Sequence, residues 1–128
     1  MPKKSDRAAR REARLVVRMA KEVVCEAYGF PHADLLTPDR GGAAIARARQ
    51  IAMYLAHVIG GLTLNDVAIE FSRDRSTVSH ACINIEDGRD SPIIEIQLEY
   101  MERRLRERIG SLEAAGVLKS CPARRNRS

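Results

Sequence analysis

Residues 63–88 read TLNDVAIEFSRDRSTVSHACINIEDG, an order that predicts two short helices joined by a tight turn. Thr63 offers an N-cap hydroxyl, with Asp66 three residues on as a weaker form of the capping box, and Leu64, Val67 and Phe71 supply a buried face. Ser72 and Arg73 are the turn. Asp74 can cap a second helix whose inner face is Val78, Cys82 and Ile85, at spacings of four and three, and Gly88 suits its carboxyl end. Helix, turn and helix together make a helix-turn-helix candidate.

The outer face of the second helix carries the chemistry. At about 100° per residue, Ser76, Thr77, His80, Ile83 and Asn84 cluster opposite the buried stripe, with Ser79 to one side. Arg75 projects from the first turn, where recognition helices reach base edges, and an arginine can bond guanine O6 and N7 together. Ser76, Thr77 and His80 can bond bases or phosphates. The same composition also fits an ordinary solvated helix face.

Outward from this unit the chain stays helical. Upstream, Leu15, Met19, Val23 and Ala27 follow helical spacing to Gly29, and Phe30 to Gly42 holds two Pro and two Gly and reads as loop, with a short helical turn at Ala33 to Leu36. From Ala43 to Ile59 the period returns, with Ala48, Ile51, Leu55, Val58 and Ile59 on one face, and Gly60 and Gly61 end it. Downstream, Ser91 and Pro92 start a long amphipathic helix through Ile94, Leu98, Met101, Leu105, Ile109 and Leu112. That stripe can pack on the chain's own core, or its far end can pair with a second copy. The expected division is a basic arm at residues 1–12, a helical domain at 13–112 and a basic tail at 113–128.

The whole chain has 128 residues, 45% hydrophobic and 4% aromatic, with no Trp, a composition that favours an all-α domain over a β-sandwich. Its net charge of +5 is uneven. Residues 1–22 carry +5, residues 23–118 carry −4 and residues 119–128 carry +4. Basic ends suit nucleic acid or an anionic surface. Three cysteines, Cys25, Cys82 and Cys121, form no disulfide framework and suit a reducing compartment. No stretch is long and apolar enough for a membrane span, so a cytoplasmic, nucleoid-associated protein without membrane contact is expected.

Three ordered blocks, RARQIAMYLA at 47–56, GLTLNDVAIEF at 61–71 and RDRSTVSHAC at 73–82, with VVCEAYGFPHADLL at 23–36 upstream, resemble the C-terminal DNA-binding domain of the bacterial replication initiator DnaA. The similarity covers roughly residues 15–105. It implies an all-α, Trp-repressor-like helix-turn-helix fold with a long C-terminal helix, reading the major groove of a short DnaA box in double-stranded DNA while a preceding basic loop reaches the minor groove. Arg49 and Gln50 match the family's Arg-Gln pair, whose Arg contacts DNA. Asp74, Thr77 and His80 match residues of the family's recognition helix, Ser76 keeps a hydroxyl where the family usually has Thr, and Arg73 precedes them.

The departures are specific. Arg75 stands where the family usually has His, which changes charge and reach at a base-contacting site. Ser72 alone fills a turn that commonly holds two glycines. GGAAIA at 41–46 lacks the arginine that the family inserts in the minor groove, leaving Arg40 as the nearest candidate. No G-x-x-x-x-G-K-[ST] loop occurs, so regulation of replication initiation or transcription is expected without ATPase activity, and neither catalysis nor a cofactor. The histidines and cysteines have no metal-ligand spacing, since His80 and Cys82 point to different faces of one helix. The weakened loop and altered turn motivate another reading, a protein-interaction module on a DNA-binding scaffold that touches the replication initiator or a regulator.

Overall fold

The computed structural model describes residues 4–29, 42–121 and 124. Five helices follow in order: α1 (Lys4–Tyr28), α2 (Gly42–Val58), α3 (Leu64–Phe71), α4 (Arg75–Gly88) and α5 (Pro92–Ala114). Among the described residues there is no strand, in keeping with the all-α expectation. The loop expected at 30–42 and its short helical turn, with Arg40, fall on residues 30–41, outside the described residues.

Helix α2 is the centre. It packs against α1, α3 and α4, and residues 51–56 are buried on every side rather than along the one face that the periodicity suggested. A helix that is apolar all round belongs in an interior. Ala48, Ala52 and Ala56, one turn apart, are at most 1% exposed and leave room for neighbouring backbones. Gly60 extends this closeness: a Cβ there would stand 2.4 Å from both the Ala56 carbonyl oxygen and Val16. Only hydrogen fits.

The stripe on α5 is occupied by the chain's own core. Leu98, Met101 and Leu105 are at most 1% exposed, Ile109 is buried and Leu112 packs against the cluster, with α1 as the neighbour. Its start is held by Arg89, in the turn after α4. The Arg89 guanidinium donates to both oxygens of Glu95 (2.6 and 2.7 Å), to both oxygens of the buried Glu102 (2.8 and 3.2 Å) and to the Tyr54 hydroxyl oxygen (3.0 Å). Tyr54 in turn donates to Glu86 near the end of α4. One cation thus joins α2, α4 and α5. Burial, followed by the bond to Glu86, pushes the Tyr54 phenol up to about 12.

Both ends are more ordered than basic extensions need be. The arm expected through residue 12 is helical from Lys4, because Ala8, Ala9, Arg10 and Arg11 are good helix formers and Arg10 bonds Asp66 (3.1 Å) and Glu70 (3.3 Å) on α3. The tail expected from residue 113 is partly tied down. Leu118 is buried, the Lys119 amide donates to Glu12 (2.7 Å), and Arg124 reaches Glu113 (3.2 Å) and the Gly60 carbonyl (3.2 Å). These contacts span 11 to 107 residues, and no local period announces them.

Candidate nucleic-acid interface

Helices α3 and α4 form the two-helix unit read from residues 63–88. The Thr63 hydroxyl accepts from the Asp66 amide (3.1 Å), as its position predicted. Helix α3 ends at Ser72, which takes a left-handed backbone (φ 54°, ψ 45°), while the Arg73 amide bonds back to the Ala68 carbonyl (2.9 Å). This single residue makes the turn that the family commonly builds with two glycines. A left-handed conformation costs an L-residue about 1 to 2 kcal/mol. Ser72→Gly is therefore expected to be neutral or to stabilise by up to about 1 kcal/mol, after the extra freedom of an unfolded glycine is discounted. Ser72→Val should destabilise. Urea midpoints on the two variants check this, and equal midpoints would show that the turn carries no such strain.

Asp74 occupies the N-cap position of α4 with extended backbone, but its carboxylate makes no capping hydrogen bond. The expected cap is corrected: the carboxylate stays on the exposed side of the turn. The inner face of α4 is Val78, Ala81 and Ile85, all at most 2% exposed, with Cys82 half-buried beside them. Burial pushes the Cys82 thiol up to about 11, away from reactivity. On the other side Arg75, Ser76, Thr77, His80, Ile83 and Asn84 are all exposed. These six outward positions thus lie on one surface of α4, held by an inner face in the core.

The other candidates lie apart from this surface. Arg73, in the turn, is half-buried, as is Gln50 on α2. Arg49 is 9% exposed and stands close enough to Lys21 on α1 for its charge to matter. Lys21 is buried with its ammonium 4.5 Å from the Phe71 ring centroid. Burial first, then Arg49, lowers the Lys21 pKa against the opposing pull of Glu70. Arg49 thus lies on α2, largely buried, and not on the exposed face of α4.

Two residues escaped the reading of the sequence. Arg47 is half-buried with Nη2 only 2.9 Å from where a Cβ at Gly88 would lie, so it backs the carboxyl end of α4. Its place between the Gly-rich loop and the apolar run of α2 was the available signal. Arg89 had none, because its partners lie 6, 13 and 35 residues away. No group of three or more metal-ligating side chains occurs among the described residues, and none of their helices is long and apolar enough to cross a membrane.

A family model described as the bacterial dnaA protein helix-turn-helix matches residues 17–85. Among curated relatives, the chromosomal replication initiator protein DnaA of Caulobacter sp. (strain K31) is 39% identical over 97 residues, which are 74% of this chain and 20% of that protein. DnaA of Symbiobacterium thermophilum is 35% identical over 98 residues (75% and 21%), and that of Thermoanaerobacter sp. (strain X514) 32% over 93 residues (72% and 21%). The chain thus spans about a fifth of the length of these relatives. No solved structure gives a significant match. The matched segment starts within α1, spans α2 and the whole of α3, and ends on the inner face of α4, so this chain belongs to the bacterial DnaA helix-turn-helix family.

Proposed function

We propose that the chain binds double-stranded DNA at DnaA-box-like sequences and so regulates replication initiation or transcription in the bacterial cytoplasm, at the nucleoid, with no ATPase activity of its own. The observation that carries this reading is the exposed row Arg75, Ser76, Thr77 and His80 on the amino-terminal half of α4, backed by a fully buried inner face. Arg75 is assigned to a guanine edge, Ser76, Thr77 and His80 to neighbouring bases or phosphates, and Arg73 and Asp74 to the mouth of the groove. Arg49 and Gln50 act as positioning contacts, and Arg40 is the candidate for the minor groove. Because so little of Arg49 is exposed, its share comes through charge. Glu86 and Asp87, exposed at the far end of α4, repel phosphate and favour approach by the amino-terminal half.

The test is fluorescence anisotropy of a DnaA-box duplex against a scrambled duplex at low and near-physiological salt, since salt weakens phosphate attraction more than base contacts. Preference for the box that persists at the higher salt is the expected result. Equal and salt-sensitive binding to both duplexes would overturn box recognition.

A second reading has its own observation. Ile93, Ile96 and Tyr100 lie on the outer face of α5 at spacings of three and four, 70%, 66% and 47% exposed. Such a patch suits a protein partner, whether the initiator, one of its regulators or a second copy of this chain. Light scattering on the purified protein distinguishes self-association from a monomer.

A further inference from the structure

Arg7, Arg11, Arg14 and Arg18 recur along α1 at spacings of four, three and four. At about 100° and 1.5 Å per residue they share one face, in a strip about 16 Å long. All four are exposed, while the opposite face of the helix puts Val16, Ala20 and Val23 into the core. Arg14 approaches Glu70 at 3.9 Å, and among the described residues Arg7, Arg11 and Arg18 form no ion pair. The strip has no acidic member. Like charges one turn apart destabilise a helix, and a merely solvated face usually mixes signs, as the outer face of α5 does with Arg103, Arg104 and Glu107.

The position of the strip says what it faces. Arg10 is tied to Asp66 and Glu70, Arg14 approaches Glu70, and Lys21 covers Phe71, so α1 and α3 run in the same direction. The amino end of α1 consequently lies beside the amino end of α3 and beyond it. Between them is a groove of about 730 Å³ lined by Arg7, Arg10, Arg11 and Arg14 with Ala9, against the carboxylates of Asp6 and Asp66, so four cations outnumber two anions there. In a helix-turn-helix complex the first helix crosses the phosphate backbone, and a helix amino end favours phosphate.

We propose that the arginine face of α1 is a second phosphate-binding surface, which follows the DNA backbone flanking the segment that α4 reads. The assignment rests on the duplex-binding reading above. It extends the footprint without adding base selectivity, because arginines along a backbone neutralise charge and read no sequence.

The test uses the full chain and the triple variant Arg7→Gln, Arg11→Gln and Arg18→Gln, which leaves the contacts of Arg10 and Arg14 in place and keeps good helix formers throughout. Circular dichroism should be unchanged. Each protein is titrated across salt with a one-turn duplex of about 10 base pairs carrying the box, and with three-turn duplexes carrying the box or a scrambled sequence. On the long duplexes the slope of log affinity against log salt should flatten by about 2 to 3, at about 0.9 per lost phosphate contact. The loss should be equal for box and scrambled DNA, and absent on the short duplex. Identical slopes for wild type and variant on long duplexes would overturn the α1 surface while leaving box recognition standing. Wild-type protein that ignores every duplex, but binds phosphatidylglycerol vesicles through the same arginines, would overturn both and reassign the face to a membrane surface.

Discussion

Arg89→Ala is expected to lower the unfolding free energy by about 3 to 5 kcal/mol, the cost of leaving a buried charge without its partner. Arg89 is 17% exposed at its side chain and Glu102 9%, and the guanidinium is shared among Glu102, Glu95 and the Tyr54 hydroxyl. Removing it leaves the Glu102 carboxylate in a nearly dry site between α5 and the core. Because whole domains are stable by about 5 to 15 kcal/mol, the variant should be close to unfolding at room temperature. Urea denaturation followed by circular dichroism measures the loss. A companion variant, Arg89→Met with Glu102→Leu, should recover most of it, since an apolar pair of similar size removes the stranded charge. A loss under about 1 kcal/mol in Arg89→Ala would mean that water reaches Glu102 and solvates it.

The same contact predicts an acid response. Hydrogen bonds from Arg89 hold the Glu95 carboxyl below the usual carboxylate range. A depressed folded value means that the stabilisation is present above that range and is lost as pH falls through the folded value. Arg89→Ala should remove this part of the acid sensitivity.

Arg75→Ala is expected to weaken binding to the preferred duplex by about 1 to 3 kcal/mol, roughly 5- to 150-fold, and to relax selectivity at one base pair. The residue starts α4, is exposed and sits on the same surface as Ser76 and His80. Its effect is to be measured on duplexes in which each base pair of the site is changed in turn. An equal loss on every duplex would reduce Arg75 to a phosphate contact. Arg75→His, which installs the residue that the family usually has there, should shift the preferred base at that same pair and nowhere else.

What the residues of α3 and α4 could reveal by themselves was the period, the Thr63 cap and the outward row from Arg75 to Asn84, because all three depend on neighbours within a turn of helix. Local spacing also placed the core stripe of α5 and the middle of that of α1, Met19 and Val23, although Ala27, expected with them, is exposed, and the family likeness was readable in three short blocks. Tertiary structure decided the rest. Whether the Leu98 to Leu112 stripe faced the core or another chain depended on α1, far away in sequence. Asp74 looked like a cap by position, yet its carboxylate makes no such bond in the folded turn. Arg49 was placed by the family likeness alone, and how little of it is exposed, 9%, was set by the packing of α2 between α1, α3 and α4. The helical start at Lys4 needed Asp66 and Glu70 to receive Arg10, and Arg89 became a junction only when α2, α4 and α5 met. Periodicity and capping are short-range properties that a sequence carries with it. Burial of charge and the direction a charged face takes are settled by which helices lie alongside, and that is a property of the fold.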